Sequence, residues 1–262
     1  MAVTALVTGA SSGIGEAAAQ RLARGRDARL VLVARREDRL RALAESLPAK
    51  ATWLAADLTD EDAPERVLRH VRDEHGSLTL LVNNAGSAWR ASFAEGGFEN
   101  VRKTMELNFD SVVRLTETLL PLLRESAPSA IVNVASTAAR VSRARSAAYS
   151  ASKAALALWS DGLYLEERAA GVHVGLVLPG FIVTEGFPAE ELLARPLTRR
   201  IVSTPDKAAE AIVDAGLNRR AERYVPRGYA VAAALRTVAP GLVRRVLRGG
   251  GGAAFTTRTG EE

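Results

Sequence analysis

The sequence predicts a doubly wound α/β fold, in which a single parallel sheet of about seven strands carries helices on both faces. Short apolar segments alternate with longer segments of helical periodicity along the 262 residues. The short segments are apolar on both sides, which is typical of strands covered by helices above and below. A chain of this length can still form one hydrophobic core, so we expect one domain.

The order of these segments predicts seven strands and six helices. The last predicted helix has Thr204 at its N-cap position and Pro205 at its first position, where these residue types are favourable. The strands are predicted at Ala2–Val7, Arg29–Ala34, Thr52–Ala55, Thr79–Val82, Ala130–Ala135, His173–Leu178 and Tyr224–Val225. The helices are predicted at residues 13–25, 37–47, 61–75, 97–125, 149–170 and 205–216.

The positive charge of the chain is concentrated near its C-terminus. Eight arginines and one glutamate lie between Arg219 and Arg248, so this window carries +7 of a total formal charge of +5, and the remainder carries −2. We therefore expect a compact domain over residues 1–228 and a basic amphipathic extension over residues 229–248. Four glycines open residues 249–262, which we expect to be a disordered tail.

Composition excludes several kinds of site. The chain has no cysteine, which excludes disulfides, thiolate nucleophiles and cysteine-bound metals. Its three histidines include no HxxxH pair, so we expect no metal site. The N-terminus lacks the basic and apolar regions of a signal peptide, and no uncharged apolar stretch reaches about 20 residues, so we expect a cytoplasmic protein.

A glycine-rich turn joins the first predicted strand to the first predicted helix, over residues Thr8–Gly15. Glycines allow a tight turn, a close approach of backbone to a pyrophosphate and close packing of helix on strand, and a helix N-terminus favours an anion. The alternative is a plain glycine-rich loop, but the flanking strand and helix favour a Rossmann-type nucleotide site. Its expected cofactor contacts are Gly9, Ser11, Ser12, Gly13, Ile14 and Gly15.

The end of the second strand predicts the preferred cofactor. An NAD-binding protein usually has an acidic residue here, whereas this sequence has Ala34 followed by Arg35 and Arg36. Guanidinium groups suit the additional 2′-phosphate of NADP(H), because their donors form a planar fork. We therefore expect NADP(H) to be preferred over NAD(H). The alternative is that both arginines are a solvated helix N-terminus.

Tyr149 and Lys153 form the candidate catalytic pair. Their four-residue spacing places them on one face of a helix, one turn apart. A free tyrosine has a pKa near 10, and an adjacent ammonium group stabilises the phenolate and lowers that pKa. The pair is therefore suited to general acid–base chemistry at neutral pH. The alternative is an exposed helical pair without a catalytic role.

Taken together and in chain order, these motifs resemble the short-chain dehydrogenase/reductase (SDR) family over about residues 2–225. Further matching positions are Asp57, Asn83–Gly86, Asn108, Ser136 and Pro179–Gly180. The resemblance implies metal-free hydride transfer between a nicotinamide cofactor and a carbonyl or alcohol. It implies that Tyr149 is the acid–base, that Lys153 binds the nicotinamide ribose and tunes Tyr149, that Ser136 holds the substrate oxygen and that Asn108 orders a proton-relaying water.

The same resemblance implies the remaining cofactor contacts. Asp57 would meet the adenine amino group, although a turn or N-cap role is an alternative. Thr184 would bind the nicotinamide carboxamide, although it could be plain loop. For Asn108 the alternative is a buried capping role. The implied contacts of this group are Asp57, Leu58, Asn84, Ala85, Gly86, Pro179, Gly180 and Thr184, together with Tyr149 and Lys153.

The substrate side is less sharply predicted. The resemblance implies a substrate loop over about Phe181–Thr204, which offers an apolar lining for a lipophilic carbonyl compound, although its acidic residues also fit a surface lid. The lining candidates are Phe181, Ile182, Phe187, Leu192 and Leu193, with Trp89 on the opposite wall and Glu185, Glu190 and Glu191 as the acidic residues.

The partners of the protein are predicted from charge and from the resemblance. The extension 229–248 fits packing over the pocket or a subunit interface, or peripheral contact with an anionic membrane. Nucleic acid is not expected, because no recognition motif is present. A homodimer or homotetramer is the family expectation, through the helices predicted at 97–125 and 149–170. The competing function is a non-catalytic NADP(H)-binding sensor on the same fold.

Overall fold

A computed structural model shows the predicted doubly wound α/β architecture and describes residues 3–185, 192, 194, 199 and 201–248. Seven parallel strands form one sheet in the order β3-β2-β1-β4-β5-β6-β9, and β7 and β8 pair separately. The strands are β1 Thr4–Thr8, β2 Arg29–Ala34, β3 Lys50–Ala55, β4 Leu80–Asn83, β5 Ser129–Val134, β6 Val172–Pro179, β7 Phe181–Ile182, β8 Val202–Ser203 and β9 Glu222–Val225.

Except over residues 97–125, the helices lie close to where the sequence predicts them, and two further short helices lie at the C-terminal end of the described residues. Thr204 caps the helix that begins at Pro205 and accepts a hydrogen bond from the Lys207 amide at 3.4 Å, as expected. The helices are α1 Gly13–Leu22, α2 Glu37–Ser46, α3 Ala63–His75, α4 Phe93–Met105, α5 Ser111–Glu125, α6 Ala147–Glu167, α7 Pro205–Gly216, α8 Tyr229–Val238 and α9 Pro240–Val246.

Hydrophobic cores cover both faces of the sheet. Successive residues of a strand point to opposite faces, so Ala5 and Val7 of β1 face one core while Leu6 faces the other. The first core contains buried residues of α1, α2 and α7, and the second contains those of α3, α5 and α6. This arrangement explains why the strands are apolar on both sides in the sequence.

The predicted helix over residues 97–125 is wrong as one continuous element. Helix α4 begins earlier, after a capping box between Ser92 and Glu95, and Gly97 interrupts it with a φ of 50°. A π-helical turn, Glu106–Asp110, then separates α4 from α5. Such a turn inserts an extra residue into the helical ladder and often marks a functional position.

A buried polar network ties the centre of the sheet to the helices beneath it. The Asn83 amide donates to Thr116 Oγ1 at 3.1 Å and to Asn133 Oδ1 at 2.9 Å. The Asn133 amide in turn donates to Ser160 Oγ at 2.8 Å. Because β4, β5, α5 and α6 are linked in this way, the residues that follow these strands are held in fixed relative positions.

The C-terminal segment lies beyond the last strand of the sheet. Helices α8 and α9 contain no buried residue, and several of their aliphatic side chains are exposed. Within the described part of the chain, no helix is long and apolar enough to span a membrane. The same residues contain no group of histidine and acidic side chains that could hold a metal ion. Residues 249–262, expected to be disordered, lie outside the described residues.

Candidate active site

The glycine-rich turn follows β1 and brings its backbone against the end of β4. Gly9 and Gly13 have φ values of +64° and +59°, which favour glycine. A Cβ atom on Gly15 would overlap the Gly9 carbonyl and lie 2.6 Å from Asn84 Nδ2. These three glycines therefore leave a cradle that any side chain would fill, and α1 begins within it at Gly13.

Thr8 and Asn84 hold this turn in place. The Thr8 hydroxyl donates to the Val82 carbonyl at 3.2 Å and accepts from the amides of Asn84 and Ala85 at 2.9 and 3.0 Å. The Asn84 side-chain amide donates to the Thr8 carbonyl at 2.9 Å. The segment after β4 thus braces the turn after β1, and a dinucleotide phosphate fits the adjoining helix N-terminus.

A cavity of about 270 Å³ adjoins the carboxyl ends of β2 and β3. Asp57 Oδ1 accepts hydrogen bonds from the Thr59 amide and hydroxyl, while Arg35 Nη1 lies 3.8 Å from Asp57 Oδ2. The N-cap of α3 is Asp62, so Asp57 forms a turn and does not cap that helix. Leu58 beside it is buried. The cavity is lined by Arg35, Asp57, Thr59, Trp89, Arg102, Lys103, Glu106 and Leu107.

Trp89, which we expected on the wall opposite the substrate loop, lies near the carboxyl end of β2. Its ring lines this cavity and carries Lys103 Nζ at 5.1 Å from the ring centroid. A flat aromatic ring beside Arg35 and Asp57 suits the adenosine end of a dinucleotide. The loop after β4 turns toward the carboxyl end of β2. This direction is set by tertiary packing and cannot be predicted from the local sequence.

Arg36 lies directly beside the phosphate turn. Its Nε donates to Ser11 Oγ and its Nη2 to the Ser11 carbonyl, both at 3.3 Å. Nη1 lies 3.3 Å from Glu185, whose other oxygen lies 3.5 Å from Arg39. The guanidinium of Arg36 is thus held at the place expected for a 2′-phosphate, with a carboxylate of the same chain against it.

Tyr149, Ser136 and Lys153 converge where β5 ends and α6 begins. The Ser136 hydroxyl donates to the Pro179 carbonyl at 3.3 Å and accepts from the Ala138 amide at 3.1 Å. It also hydrogen-bonds with the Tyr149 hydroxyl. Lys153 Nζ is buried and donates to the Val134 carbonyl at 2.9 Å.

Burial dominates the protonation behaviour of this pair. It raises the pKa of the Tyr149 hydroxyl, whereas the hydrogen bond to Ser136 and the charges of Arg143 and Arg90 lower that pKa. Burial also lowers the pKa of Lys153 to about 8. The expected lowering of the Tyr149 pKa by Lys153 is therefore not seen in the protein alone. Among the described residues, the cations whose charges act on the phenol are these two arginines.

Asn108 lies in the π-helical turn and is fully buried. Its Oδ1 accepts from the Ser87 amide and its Nδ2 donates to the Ser87 carbonyl, both at 2.9 Å, and Nδ2 also donates to Ser152 Oγ at 3.1 Å. A Cβ atom on Gly86 would lie 2.9 Å from Asn108 Oδ1 and 3.2 Å from Lys153 Nζ. Asn108 therefore braces the turn after β4 from beneath and is adjacent to Lys153.

The segment after β6 closes the cofactor side of the site. Pro179 ends β6, and the Gly180 amide donates to the Val225 carbonyl at 2.8 Å. A Cβ atom on Gly13 would lie 3.1 Å from Thr184 Cγ2, so Thr184 lies over the phosphate turn. Phe181, Ile182 and Leu192 are buried. The predicted loop residues Phe187, Glu190, Glu191 and Leu193 lie outside the described residues.

Comparison with known proteins agrees with this geometry. The sequence profile of the family described as short chain dehydrogenase matches residues 3–191. The chain belongs to the short-chain dehydrogenase family. As such it is a Rossmann-type oxidoreductase that acts on a carbonyl or hydroxyl group with a nicotinamide cofactor.

Several relatives of this short-chain dehydrogenase are curated enzymes. A ketoacyl reductase, HetN, of Nostoc sp. is 32% identical over 225 residues, which cover 85% of this chain and 78% of the relative. The 3-oxoacyl-[acyl-carrier-protein] reductase FabG of Escherichia coli is 34% identical over 69% of this chain and 74% of its own. A cis-4-hydroxycyclohexanecarboxylate dehydrogenase of Sinomonas cyclohexanicum is 35% identical over 79% of this chain and 86% of its own.

Two residues near the candidate site of this short-chain dehydrogenase were not predicted from the sequence. The first is Arg143, which lies with its guanidinium carbon 4.5 Å from the Phe181 ring centroid and acts electrostatically on Tyr149. The second is Tyr229, whose ring packs on Gly180 and whose hydroxyl donates to the Ile201 carbonyl at 3.2 Å. In a chain so rich in arginine, Arg143 has no local sequence signature, because only the fold brings its segment toward Phe181.

Proposed function

We propose that this short-chain dehydrogenase uses NADP(H) and transfers a hydride between its nicotinamide and a carbonyl compound or secondary alcohol. The main support is the position of Arg36, just after a strand that ends without an acidic residue. Arg36 donates two hydrogen bonds to Ser11 and one to Glu185. A planar guanidinium in this position suits a 2′-phosphate. Arg35, on the wall of the neighbouring cavity, adds a second cation.

The proposed roles of the chain's own residues follow from their positions. The glycine cradle and Asn84 would hold the dinucleotide, with Asp57, Leu58, Ala85 and Thr184 along its length. When bound, the cofactor supplies or accepts the hydride. The proposed contacts with the cofactor are Gly9, Ser11, Ser12, Gly13, Ile14, Gly15, Arg35, Arg36, Asp57, Leu58, Asn84, Ala85, Gly86, Tyr149, Lys153, Pro179, Gly180 and Thr184.

Tyr149 would exchange a proton with the substrate oxygen, which Ser136 would hold by hydrogen bonding. Lys153 retains its proton below a pKa of about 8 and can therefore present an ammonium group at neutral pH. Asn108 positions the turn beside Lys153 and, in this proposal, a water that replaces the transferred proton. General acid–base groups of this kind contribute about 10²- to 10⁴-fold to a rate.

The substrate body in this proposal is apolar. Phe181 and Leu192 are buried apolar residues of the segment that would meet the substrate, whereas Ile182 packs into the core with α1 and α7. Relatives named for ketoacyl and hydroxycyclohexanecarboxylate substrates support a medium-sized carbonyl or alcohol. We further propose a homodimer or homotetramer, in which exposed Leu158 and Leu165 of α6 would be covered.

Turnover with a matched pair of cofactors tests the proposal. We expect wild-type protein to reduce members of a panel of aliphatic and alicyclic ketones faster with NADPH than with NADH. Replacing Tyr149 with Phe should lower kcat by about 10³-fold while NADPH binding, followed by fluorescence, is retained. Tight NADPH binding with no turnover across the panel would instead indicate a non-catalytic sensor, and equal use of both cofactors would contradict the role of Arg36.

The C-terminal extension supports a second, separate proposal, that it rests on an anionic membrane surface. Its outward aliphatic side chains, Val231, Leu235, Val238, Leu242 and Val246, are between 40% and 79% exposed. Arginines accompany them, and no acidic residue follows Glu222 until Glu261. Aliphatic side chains and arginines suit the acyl boundary and the anionic headgroups of a lipid surface, respectively, at about 1 kcal/mol per basic residue.

Vesicle flotation tests the membrane proposal. We expect binding to vesicles of phosphatidylglycerol and phosphatidylcholine but not to phosphatidylcholine alone, with loss of binding in the triple variant Val231→Ser, Leu235→Ser, Val238→Ser. Unchanged flotation of the variant would contradict the proposal. If the variant alters the oligomeric state while neither protein floats, the extension is a subunit interface.

A further inference from the structure

Three arginines lie on the loop between Ser136 and Tyr149, and two of them have acidic partners. Arg140 Nη2 lies 2.9 Å from Glu222 Oε2, and Arg145 Nη1 lies 2.8 Å from Glu95 Oε1. Both pairs join the loop to neighbouring elements, β9 and α4. They provide structural ion pairs against which the third arginine can be compared.

Arg143, between these two, is placed differently. It is half-buried, and its guanidinium carbon lies 4.5 Å from the centroid of the buried Phe181 ring. Among the described residues, no carboxylate forms an ion pair with it. Its positive charge is therefore turned inward, toward the substrate side of the site, and the loop's acidic partners are used by its neighbours.

The surroundings of Arg143 add positive charge and apolar surface. Burial lowers the pKa of Arg143, and the nearby charge of Arg90 lowers it further. Both arginines act electrostatically on the Tyr149 hydroxyl. Partly desolvating a cation beside another cation is costly unless an anion compensates. The described residues show a cation–π contact, which offsets only part of that cost.

We propose that Arg143 binds an anionic group of the substrate, a carboxylate or a phosphate, on the Phe181 side of the Tyr149 hydroxyl. The inference rests on the proposed function, because it takes Tyr149 and Ser136 as the groups that hold the reacting oxygen. A substrate held at its reacting oxygen and at a second, charged end has its orientation fixed for hydride transfer. A guanidinium suits this task because its donors match a carboxylate or phosphate in a plane.

Phe181 determines how Arg143 can perform this role. The centroid of the Phe181 ring lies 4.5 Å from the guanidinium carbon, so the ring can hold the group in place, and a guanidinium carries its five donors along its edge, where a ligand would meet them. The ring itself belongs to the apolar surface that would meet the body of the substrate. The expected substrate is therefore amphipathic, with an apolar body, a reacting carbonyl and an anionic end. This adds a charged group to the purely apolar pocket that the sequence predicts.

Binding of non-reacting ligands to the enzyme loaded with NADP⁺ tests this inference without requiring turnover. The probes are hexanoate, hexyl phosphate and hexanamide, which carry unbranched alkyl chains of five or six carbons and differ in charge. We expect each anion to bind at least about tenfold more tightly than the amide, as a charge-assisted hydrogen bond allows. Comparing the affinities of hexanoate and hexyl phosphate identifies the preferred anion.

The variants distinguish a binding role from a structural one. Arg143→Gln should remove the preference for anions and leave hexanamide binding unchanged, whereas Arg143→Lys should retain part of it. The matched control is Arg145→Gln, which removes a paired arginine from the same loop and should leave anion binding unchanged. Thermal unfolding of each variant shows whether it folds.

Kinetics with oxo acids and their methyl esters separate this inference from the proposed function. The inference predicts that Arg143→Gln lowers kcat/KM for the acids by about tenfold or more relative to the esters, because the loss of its charge beside Tyr149 affects both substrates alike. Equal binding of anion and amide by wild-type protein, including undetectable binding of both, would overturn it, as would an anion preference that survives in Arg143→Gln. If esters and acids are reduced equally well, the inference fails and the proposed function stands.

Discussion

The carboxyl edge of the sheet and the C-terminal extension both contain polar and basic side chains, but they differ in how deeply these side chains are buried. At the sheet edge, Asn108 and Lys153 are buried and each polar side chain has fixed partners. In the extension, helices α8 and α9 have no buried residue. A substitution at the edge therefore perturbs several neighbours, whereas one in the extension perturbs mainly its own contact with solvent or a partner.

Residue type alone therefore does not separate the residues of this protein that have a proposed function from the others. Its arginines are spread through the chain, yet Arg36 and Arg143 differ from Arg244 and Arg245 in what surrounds them. Matched substitutions in the two regions test this difference.

The largest difference in stability is expected between the loss of a buried and the loss of an exposed hydrogen-bonding side chain. Asn108→Ala leaves the Ser87 amide and carbonyl and the Ser152 hydroxyl without their partner, and should lower the free energy of unfolding by about 3 kcal/mol. Thr237→Ala removes one exposed bond to the Ala233 carbonyl and should change it by less than about 0.5 kcal/mol. Urea unfolding measures both, and equal losses would contradict the contrast.

The next contrast concerns charge. Burial lowers the pKa of Lys153 from 10.5 to about 8, so the unfolded state binds more protons between these values and stability should rise with pH across that window. Below pH 8 the folded state still bears the full cost of burying the charged ammonium group. Lys153→Met should therefore stabilise the fold at pH 7 by on the order of 2 kcal/mol while abolishing turnover.

Arg244→Met is the matched control in the extension, and it should leave the dependence of stability on pH unchanged. Unfolding in urea from pH 7 to 10.5 measures both variants. In wild-type enzyme, activity that needs the Lys153 ammonium group should fall as pH rises through about 8. A stability that falls with pH in this window would contradict the assignment.

Glycine substitutions give a third, smaller contrast. Gly15→Ala forces a Cβ atom against the Gly9 carbonyl and should cost about 1–2 kcal/mol, together with loss of NADPH binding. Gly241→Ala meets no atom within 4 Å and should be neutral or stabilise α9 by up to about 1 kcal/mol. Thermal unfolding and NADPH fluorescence decide the outcome. Retained NADPH affinity in Gly15→Ala would contradict the close approach of the cofactor.

The smallest expected effect is at Glu185. Its carboxylate lies 3.3 Å from Arg36 and 3.5 Å from Arg39, where it would compete with a 2′-phosphate. Exposed pairs are worth about 0.2–1 kcal/mol, so Glu185→Gln should tighten NADPH binding up to about fivefold and leave NADH binding unchanged. Glu37→Gln removes an equal charge from α2 and is the control. Weaker NADH binding by Glu185→Gln would mean that Glu185 contacts the ribose instead.

Much of the fold could be predicted because its evidence is local. The strands are continuous apolar runs, and Thr204 with Pro205 marks the start of α7 from chemistry within four residues. The break between α4 and α5 could not be predicted in this way. Apolar periodicity continues through it, and the π-helical turn is stabilised by bonds from Asn108 to distant Ser87 and Ser152.

The site divides similarly. The glycine turn, Arg36 and the pair Tyr149 and Lys153 could be proposed from the sequence, because each lies at a position or spacing that its chemistry requires. The position of Trp89 beside Arg35 and Asp57 was not predicted, since the direction of a loop depends on what it packs against.

The alternation of strands and helices, the glycine-rich turn and the Tyr–Lys pair follow from the sequence alone, because they are set by neighbours along the chain. The rise in the pKa of Tyr149 on burial, the position of Arg143 against Phe181 and the exposure of the aliphatic side chains of α8 and α9 follow only from the folded structure. These properties depend on desolvation and on contacts between distant segments, which exist only once the chain has packed.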